Sequence, residues 1–148
     1  MDIDLFLASA EGRWTLAPPA LSDEITRLAA ESGIGLPSDY LEFLGRCNGG
    51  YGSLDVQPCY LIVWAADKVI EINRGYQIAE YVPGFFAFAT SGGGEFFAFD
   101  MRGQRPWIVA SIPFIPMDAK YALRVAASFS ELLDHVEPGS DEGIPISD

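Results

Sequence analysis

Apolar residues recur every three or four positions in two stretches near the start of the chain, which is the spacing of an amphipathic helix. Ile25 and Leu28 mark the first stretch. Two acids follow its first residue, where the positive end of a helix dipole favours them. The pattern predicts a helix over residues 22–32, with Ser22 or Asp23 as its N-cap.

The second stretch, residues 37–47, has the clearest helical pattern in the chain. It begins with a proline, which a first helical turn tolerates because its missing N–H would be unbonded there. Asn48, Gly49 and Gly50 follow and predict the end of the helix, since Gly and Asn adopt the left-handed cap conformation at little cost. Four residues at positions i, i+3, i+4 and i+7 form one buried face: Tyr40, Phe43, Leu44 and Cys47.

Continuous apolar runs in the second half of the chain predict β-strands. Residues 85–90 and 95–100 each contain the sequence FFAF, and the glycine-rich loop SGGG joins them. This arrangement predicts a β-hairpin at the centre of a sheet. Three other runs are expected to form strands: residues 60–64, 107–112 and 121–125.

Two other segments have helical patterns. A short helix is expected at residues 3–8, and a longer one runs from Asp67 to the breaker Pro83-Gly84. Asn73 lies beside the apolar stripe of the longer helix, so we expect its amide to hold a neighbouring backbone group. That predicted stripe consists of Val69, Ile72, Tyr76 and Ala79.

A final helix begins at Ser128, with Glu131 three residues later as its capping box. The order of helices, then strands with a helix among them, then a last helix predicts an α+β domain. Its helices should flank a largely antiparallel or mixed β-sheet. We expect one domain over residues 1–136, with its core at about 22–136, and a flexible acidic tail over residues 137–148.

The charge balance narrows the possible partners. The chain has 21 acidic and nine basic residues, a net charge of −12, and only four of the acids lie in the tail. The electrostatic field of such an acidic protein repels nucleic acid and anionic membranes and attracts basic proteins. Two interpretations stay open, namely attraction of a basic partner and solubility alone.

The start of the chain and its cysteines indicate a cytoplasmic protein. No apolar run approaches the roughly 20 residues that span a bilayer. Asp2 and Asp4 stand where a secretory signal would carry basic residues. Cys47 and Cys59 have no paired spacing, so we expect ordinary buried or half-buried thiols.

Catalytic arrangements find little support in the sequence, and we expect no metal, no cofactor and no enzyme activity. His135 is the single histidine, which excludes a multi-histidine metal site. The loop SGGG leads into Glu95 rather than into the GK[ST] of a phosphate-binding loop. Glu95 and Asp100 would face opposite sides of one strand, and Asp100 is expected to accept backbone hydrogen bonds in the following turn. An enzyme that uses Glu95 or Asp100 stays as an alternative.

Taken together, the order and spacing of these residues resemble the SUKH superfamily, the Smi/Knr-type domain. The most specific part of the resemblance is the segment LPSDY at residues 36–40, followed by FL and then NGG. The whole resemblance covers about residues 22–136. The residues that carry the motif are Leu36, Pro37, Tyr40, Phe43, Leu44, Asn48, Gly49, Gly50, Gly94, Asp100 and Phe129.

The resemblance implies an α+β fold and a binding protein without catalytic residues. Many bacterial members are immunity proteins that bind and neutralise a cognate toxin, often a nuclease, whereas fungal members are regulatory interaction proteins. We therefore expect an immunity protein for a basic toxin, with a regulatory scaffold or a small-ligand module as the alternative. The residues expected to contact the partner are the acids Asp55, Glu71, Glu80 and Glu95 and the aromatic anchors Tyr51 and Tyr81.

Overall fold

A computed structural model describes residues 2–138 of the chain. All but the first two residues of the predicted flexible tail therefore lie outside the described residues. The described part contains helices α1 (Ile3–Ala8), α2 (Ser22–Ser32), α3 (Ser38–Arg46), α4 (Val69–Gly75), α5 (Ile78–Tyr81) and α6 (Phe129–Asp134). Its strands are β1 (Gly50–Ser53), β2 (Tyr60–Val63), β3 (Phe85–Thr90), β4 (Glu95–Asp100), β5 (Ile108–Pro113) and β6 (Leu123–Ala126).

The strands form one six-stranded sheet in chain order, and every neighbouring pair is antiparallel. The α+β class is confirmed, and of the two predicted sheet types the antiparallel one occurs. The β3–β4 hairpin occupies the centre of the sheet, as its apolar runs predict. Strand β1 was not predicted, because its sequence GYGS is short and half glycine, a composition that is poor in strands.

The central strand β4 is buried on both faces of the sheet. Phe97 and Phe99 join the larger core, which helices α1, α2, α3 and α6 cover. Phe96 and Ala98 point to the other face and join a smaller core with residues of α5. The alternation of side chains along the strand thus places two phenylalanines in the larger core and Phe96 with Ala98 in the smaller one.

Helix α3 packs its predicted face into the larger core. Tyr40, Phe43 and Leu44 are fully buried. The Tyr40 ring lies 5.3–5.4 Å from the rings of Phe88, Phe99 and Phe129, mostly edge to face. Such aromatic contacts add to the hydrophobic gain of burial, so this helix is held by its side chains rather than by helix propensity.

The end of α3 differs from the prediction. The helix stops at Arg46, and Cys47 caps it in an extended conformation rather than a left-handed one. Gly49 and Gly50 have positive φ angles of 97° and 121° and turn the chain into β1. A Cβ on Gly50 would lie 2.5 Å from Thr15 O, so the glycine is required by a close backbone approach.

The predicted caps of α2 and α6 have mixed outcomes. For α2, neither Ser22 nor Asp23 is the N-cap; Leu21 is, and its N–H donates to Glu24 Oε1 at 2.9 Å. At α6, Ser128 is the N-cap as predicted, and its Oγ accepts a hydrogen bond from Glu131 N at 3.1 Å. The predicted box is not completed, because the Glu131 carboxylate accepts a hydrogen bond from Ala127 N rather than from Ser128 N.

The prediction of a single helix from Asp67 to Pro83-Gly84 was wrong. Gln77 adopts a left-handed conformation (φ 56°) and separates α4 from α5. This break changes the phase of the helix, so Tyr76 is 51% exposed whereas Ile78 and Val82 are fully buried. The predicted stripe therefore fails in its second half, at Tyr76 and Ala79.

Strand β1 is an edge of the sheet, yet other segments cover its outer side. The N–H of Thr15 donates to Tyr51 O at 3.2 Å, and the N–H of Glu137 donates to Ser53 O at 2.8 Å. Segments from near both ends of the described chain therefore satisfy backbone groups that an open edge would expose.

Both cysteines are free, Cys47 buried and Cys59 exposed, so the prediction of buried or half-buried thiols is wrong for Cys59. Among residues 2–138, no helix is both long and apolar enough to reach across a bilayer.

Candidate functional site

A cleft of about 590 Å³ lies between α2 and α4, and we call it the acidic cleft. Its floor is apolar and includes Leu28, Ala66 and Ile70. Its charged lining comprises five carboxylates and two guanidiniums: Asp23, Glu24, Glu31, Asp67 and Glu71 with Arg27 and Arg74.

The position of α4 opposite α2 depends on Asn73. Its amide Nδ2 donates to Ala87 O at 2.8 Å and Val69 O at 2.9 Å, and its Oδ1 accepts from Ala87 N at 3.0 Å. Beside Ala87, strand β2 has already ended, so the Asn73 side chain bonds this part of β3 in its place and holds α4 against the sheet. This confirms the expectation that Asn73 holds a backbone group.

Asn48 fixes the loop that leads into α4. Its Oδ1 accepts a hydrogen bond from Ala66 N at 2.8 Å, and its own N–H donates to Pro18 O at 3.0 Å. A residue of the family motif therefore positions the wall of the acidic cleft without lining it.

A second cleft of about 430 Å³ shares Glu31, Ile70 and Arg74 with the first, and we call it the socket. Two further polar residues stand on its rim, Gln77 and Glu80. Apolar side chains form most of its floor: Ile34, Ile70, Phe85, Phe86 and Met101. Together the two clefts form one helical groove with six carboxylates and two arginines, a net charge of −4.

The structure brings two of the six predicted contact residues into this groove. Glu71 lines the acidic cleft, and Glu80 lines the socket. Tyr81 is 60% exposed on α5, directly after Glu80, but lines neither cleft.

The other predicted contacts lie elsewhere. Tyr51 is 49% exposed on β1, where its ring stacks on Tyr60 at 6.3 Å and lines a third cleft of about 640 Å³. Asp55 Oδ1 lies 2.9 Å from the ring Nδ1 of His135. Glu95 is half-buried at the start of β4, where its carboxylate accepts a hydrogen bond from Ser91 Oγ at 2.6 Å. The six residues therefore do not form one surface.

Sequence reasoning missed four acids of the groove. Three of them lie on α2, and the polar face of that helix contained a signal: Asp23, Arg27 and Glu31 are spaced four residues apart, opposite the apolar stripe. Asp67 and Glu71 repeat the same spacing across the cleft. Two facing acidic helix surfaces could have been proposed from this pattern, although the pairing of α2 with α4 could not.

The carboxylates considered for catalysis have structural partners. Asp100 accepts hydrogen bonds from Arg102 N at 3.0 Å and from the Arg102 guanidinium at 2.9 Å, as predicted for the turn. These hydrogen bonds from Arg102 hold the pKa of Asp100 below its usual range. In residues 2–138, no group of three His, Cys, Asp or Glu side chains is placed to hold a metal ion.

The motif residues of the sequence lie outside all three clefts. Leu36 is buried, Pro37 is the N-cap of α3, and Gly94 has a positive φ of 107° in the hairpin loop. Phe129 packs on Tyr40 and Phe43 in the larger core. The motif residues thus belong to the core and the turns of the domain and do not line the groove.

The sequence profile of the SMI1 / KNR4 family (SUKH-1) matches residues 19–135. A comparison with curated protein sequences gives no match to the chain. The profile match spans most of the described residues and includes α2, α3, the whole sheet and α6. The fold and the motif residues agree with this match, and the chain belongs to the SMI1 / KNR4 (SUKH-1) family.

Proposed function

We propose that this protein is a non-catalytic immunity protein of the cytoplasm, which binds and neutralises a basic, nuclease-type toxin through the helical groove. The observation that carries the proposal is the groove itself, where six carboxylates and two arginines line one continuous surface. Membership of the SUKH-1 family supports it, because that family includes immunity-type proteins.

The charge of the whole chain favours association with such a partner. A net charge of −12 attracts a basic protein over a long range, and the groove places part of that charge in a concave surface. Complementary charge mainly raises the association rate and selects the partner, while apolar contacts in the groove floor slow dissociation.

The proposed domain extends beyond the family match to residues 1–136. Ile3 and Phe6 of α1 are buried in the larger core. The Arg13 guanidinium donates to Val136 O at 2.8 Å, which joins the start of the domain to its end. We therefore expect a variant lacking residues 1–15 to lose stability, because it loses these contacts.

The function is tested with the product of the adjacent gene. Co-expression of this protein should restore growth to cells that produce that toxin, and the two purified proteins should form a complex. The double variant Asp67→Lys/Glu71→Lys should weaken the complex, whereas the matched variant Glu11→Lys, at an exposed acid outside the groove, should not. An adjacent gene product that neither binds the wild-type protein nor loses toxicity contradicts the proposal.

A further inference from the structure

The socket differs in chemistry from the acidic cleft that it adjoins. Phe85 and Phe86 in its floor are 2% and 8% exposed, and Ile34, Ile70 and Met101 beside them are packed against the larger core. A cavity of about 430 Å³ falls within the range of roughly 300–1,000 Å³ that is common for binding sites.

The polar groups inside the socket are already bonded within the protein. Asn73 uses its amide on Val69 and Ala87, as described above. The hydroxyl of Ser32 donates to Ala29 O at 3.0 Å. A ligand therefore finds few unmet hydrogen-bond partners in the floor, and an apolar chain fits there better than a polar group.

The rim of the socket has the opposite character. Glu31 and Glu80 are exposed carboxylates on its two sides, and the exposed amide of Gln77 lies between α4 and α5. Among the described residues, Arg74 is the one basic residue that lines the socket. The rim thus favours a positive charge held just above an apolar floor.

The geometry points to a long aliphatic cation, the side chain of an arginine or a lysine of the protein partner, as the occupant of the socket. Its methylene stem would cover the floor, and its charged head would reach the carboxylates of Glu31 and Glu80. Long basic side chains divide their atoms in this way between apolar surface and water. This inference rests on the proposed function, since it names the residue type by which a basic partner is anchored.

Arg74 should oppose the binding of a cation in the socket, so its removal and the removal of the rim carboxylates should change the affinity in opposite directions. Its guanidinium lines both the socket and the acidic cleft, so it repels a cation that enters either one. Removal of Arg74 should strengthen binding, whereas removal of the rim carboxylates should weaken it.

The test uses four peptides and the purified wild-type protein. Hexa-arginine and hexalysine are compared with hexacitrulline and hexa(acetyl-lysine), which keep the shape of each side chain and lose its charge. Methyl NMR spectra report on Ile34, Ile70 and Met101. We expect shifts of these methyl signals with the charged peptides and none with the neutral ones, and the tighter of the two charged peptides identifies the preferred head group.

Surface variants then test the rim. For exposed charges, Glu31→Gln/Glu80→Gln should weaken peptide binding by about three- to tenfold, and Arg74→Gln should tighten it by about two- to fivefold. Glu11→Gln is the control and should leave the affinity unchanged. Equal binding by all variants, or shifts confined to residues outside the socket, overturns the inference.

The two proposals fail in different ways. If the Glu31→Gln/Glu80→Gln variant still neutralises the toxin with full affinity, the socket is not the anchor site and the immunity function stands. If the wild-type protein binds the charged peptides in the socket but neutralises no toxin, the socket stands and the immunity function fails.

Discussion

Residues 36–50 and residues 67–82 both have helical patterns in the sequence, but they serve the molecule in opposite ways. The first segment buries Tyr40, Phe43 and Leu44 and lines none of the three clefts. The second keeps most of its side chains at the surface and supplies one wall of the helical groove. The residues that carry the family motif are thus mainly buried, whereas those with which we expect it to bind are exposed.

The largest expected effect tests the structural role of the first segment. Phe43→Ala should lower the free energy of unfolding by about 3–5 kcal/mol, because it leaves a cavity in the larger core. Urea denaturation measures the change. Glu42→Ala, one residue earlier on the exposed side of α3, should change stability by no more than about 0.5 kcal/mol. Similar losses for the two variants would contradict the contrast between buried and exposed positions.

A smaller loss is expected at the end of the same segment. Gly50→Ala should cost about 3 kcal/mol, because a Cβ at this positive φ would lie 2.5 Å from Thr15 O and from the indole nitrogen of Trp14. Gly94→Ala is the matched control, since Gly94 also has a positive φ of 107° and, among the described residues other than its chain neighbours, no atom lies within 4 Å of its Cβ position. Thermal unfolding that shifts equally for both would show that the close approach is not required.

Asn73→Ala tests how the second segment is attached. The substitution leaves Ala87 N and Ala87 O without their partner, which should cost about 1–3 kcal/mol. Amide hydrogen exchange should also speed up in α4 but not in α3. Equal acceleration in both helices would mean that Asn73 stabilises the whole domain rather than the groove wall.

Tyr40→Phe tests a group of the first segment whose removal should not destabilise the protein. The Tyr40 hydroxyl is buried and has no hydrogen-bond partner among residues 2–138, and burial raises the pKa of this phenol above its ordinary value. Its removal should leave stability unchanged or raise it by at most about 1 kcal/mol in urea denaturation. A clear loss would point to a buried water molecule that bonds the hydroxyl.

The smallest stability effect is expected in the groove. Asp67→Asn/Glu71→Gln should change the free energy of unfolding by no more than about 0.5 kcal/mol, because both side chains are exposed. The same variant should weaken the toxin complex, measured by calorimetry at low salt. A large loss of stability would place these acids with the structural residues instead.

The sequence predicted those parts of the fold that local patterns determine. The stripe of α3 and the FFAF hairpin are long and strongly apolar, so their type, faces and central position agree with the structure. The break at Gln77 could not be predicted, because Ile78 and Val82 turn toward a second core that exists only once the sheet has formed. In the same way, Asp39 accepts hydrogen bonds from the N–H and hydroxyl of Ser130, 91 positions later, and no local pattern reveals such a pairing.

For the candidate site, the acidic charge was predicted but its location was not. Glu71 and Glu80 were named as exposed acids, and they lie in the groove with acids of α2 that were not named. Asp55 and Glu95 were named on the same ground but lie in other parts of the surface, as does the predicted aromatic anchor Tyr51. The difference arises from tertiary packing, which decides which helix faces another.

The covering of β1 by Thr15 and Glu137 affects how the domain can fold as it is synthesised. Tyr51 and Ser53 leave the ribosome long before Glu137, so the outer edge of β1 stays partly unpaired while more than half of the domain is made. During that time the edge can bond to other extended chains. Slow translation of the second half should therefore increase misassembly, and chaperones that shield exposed strands should reduce it.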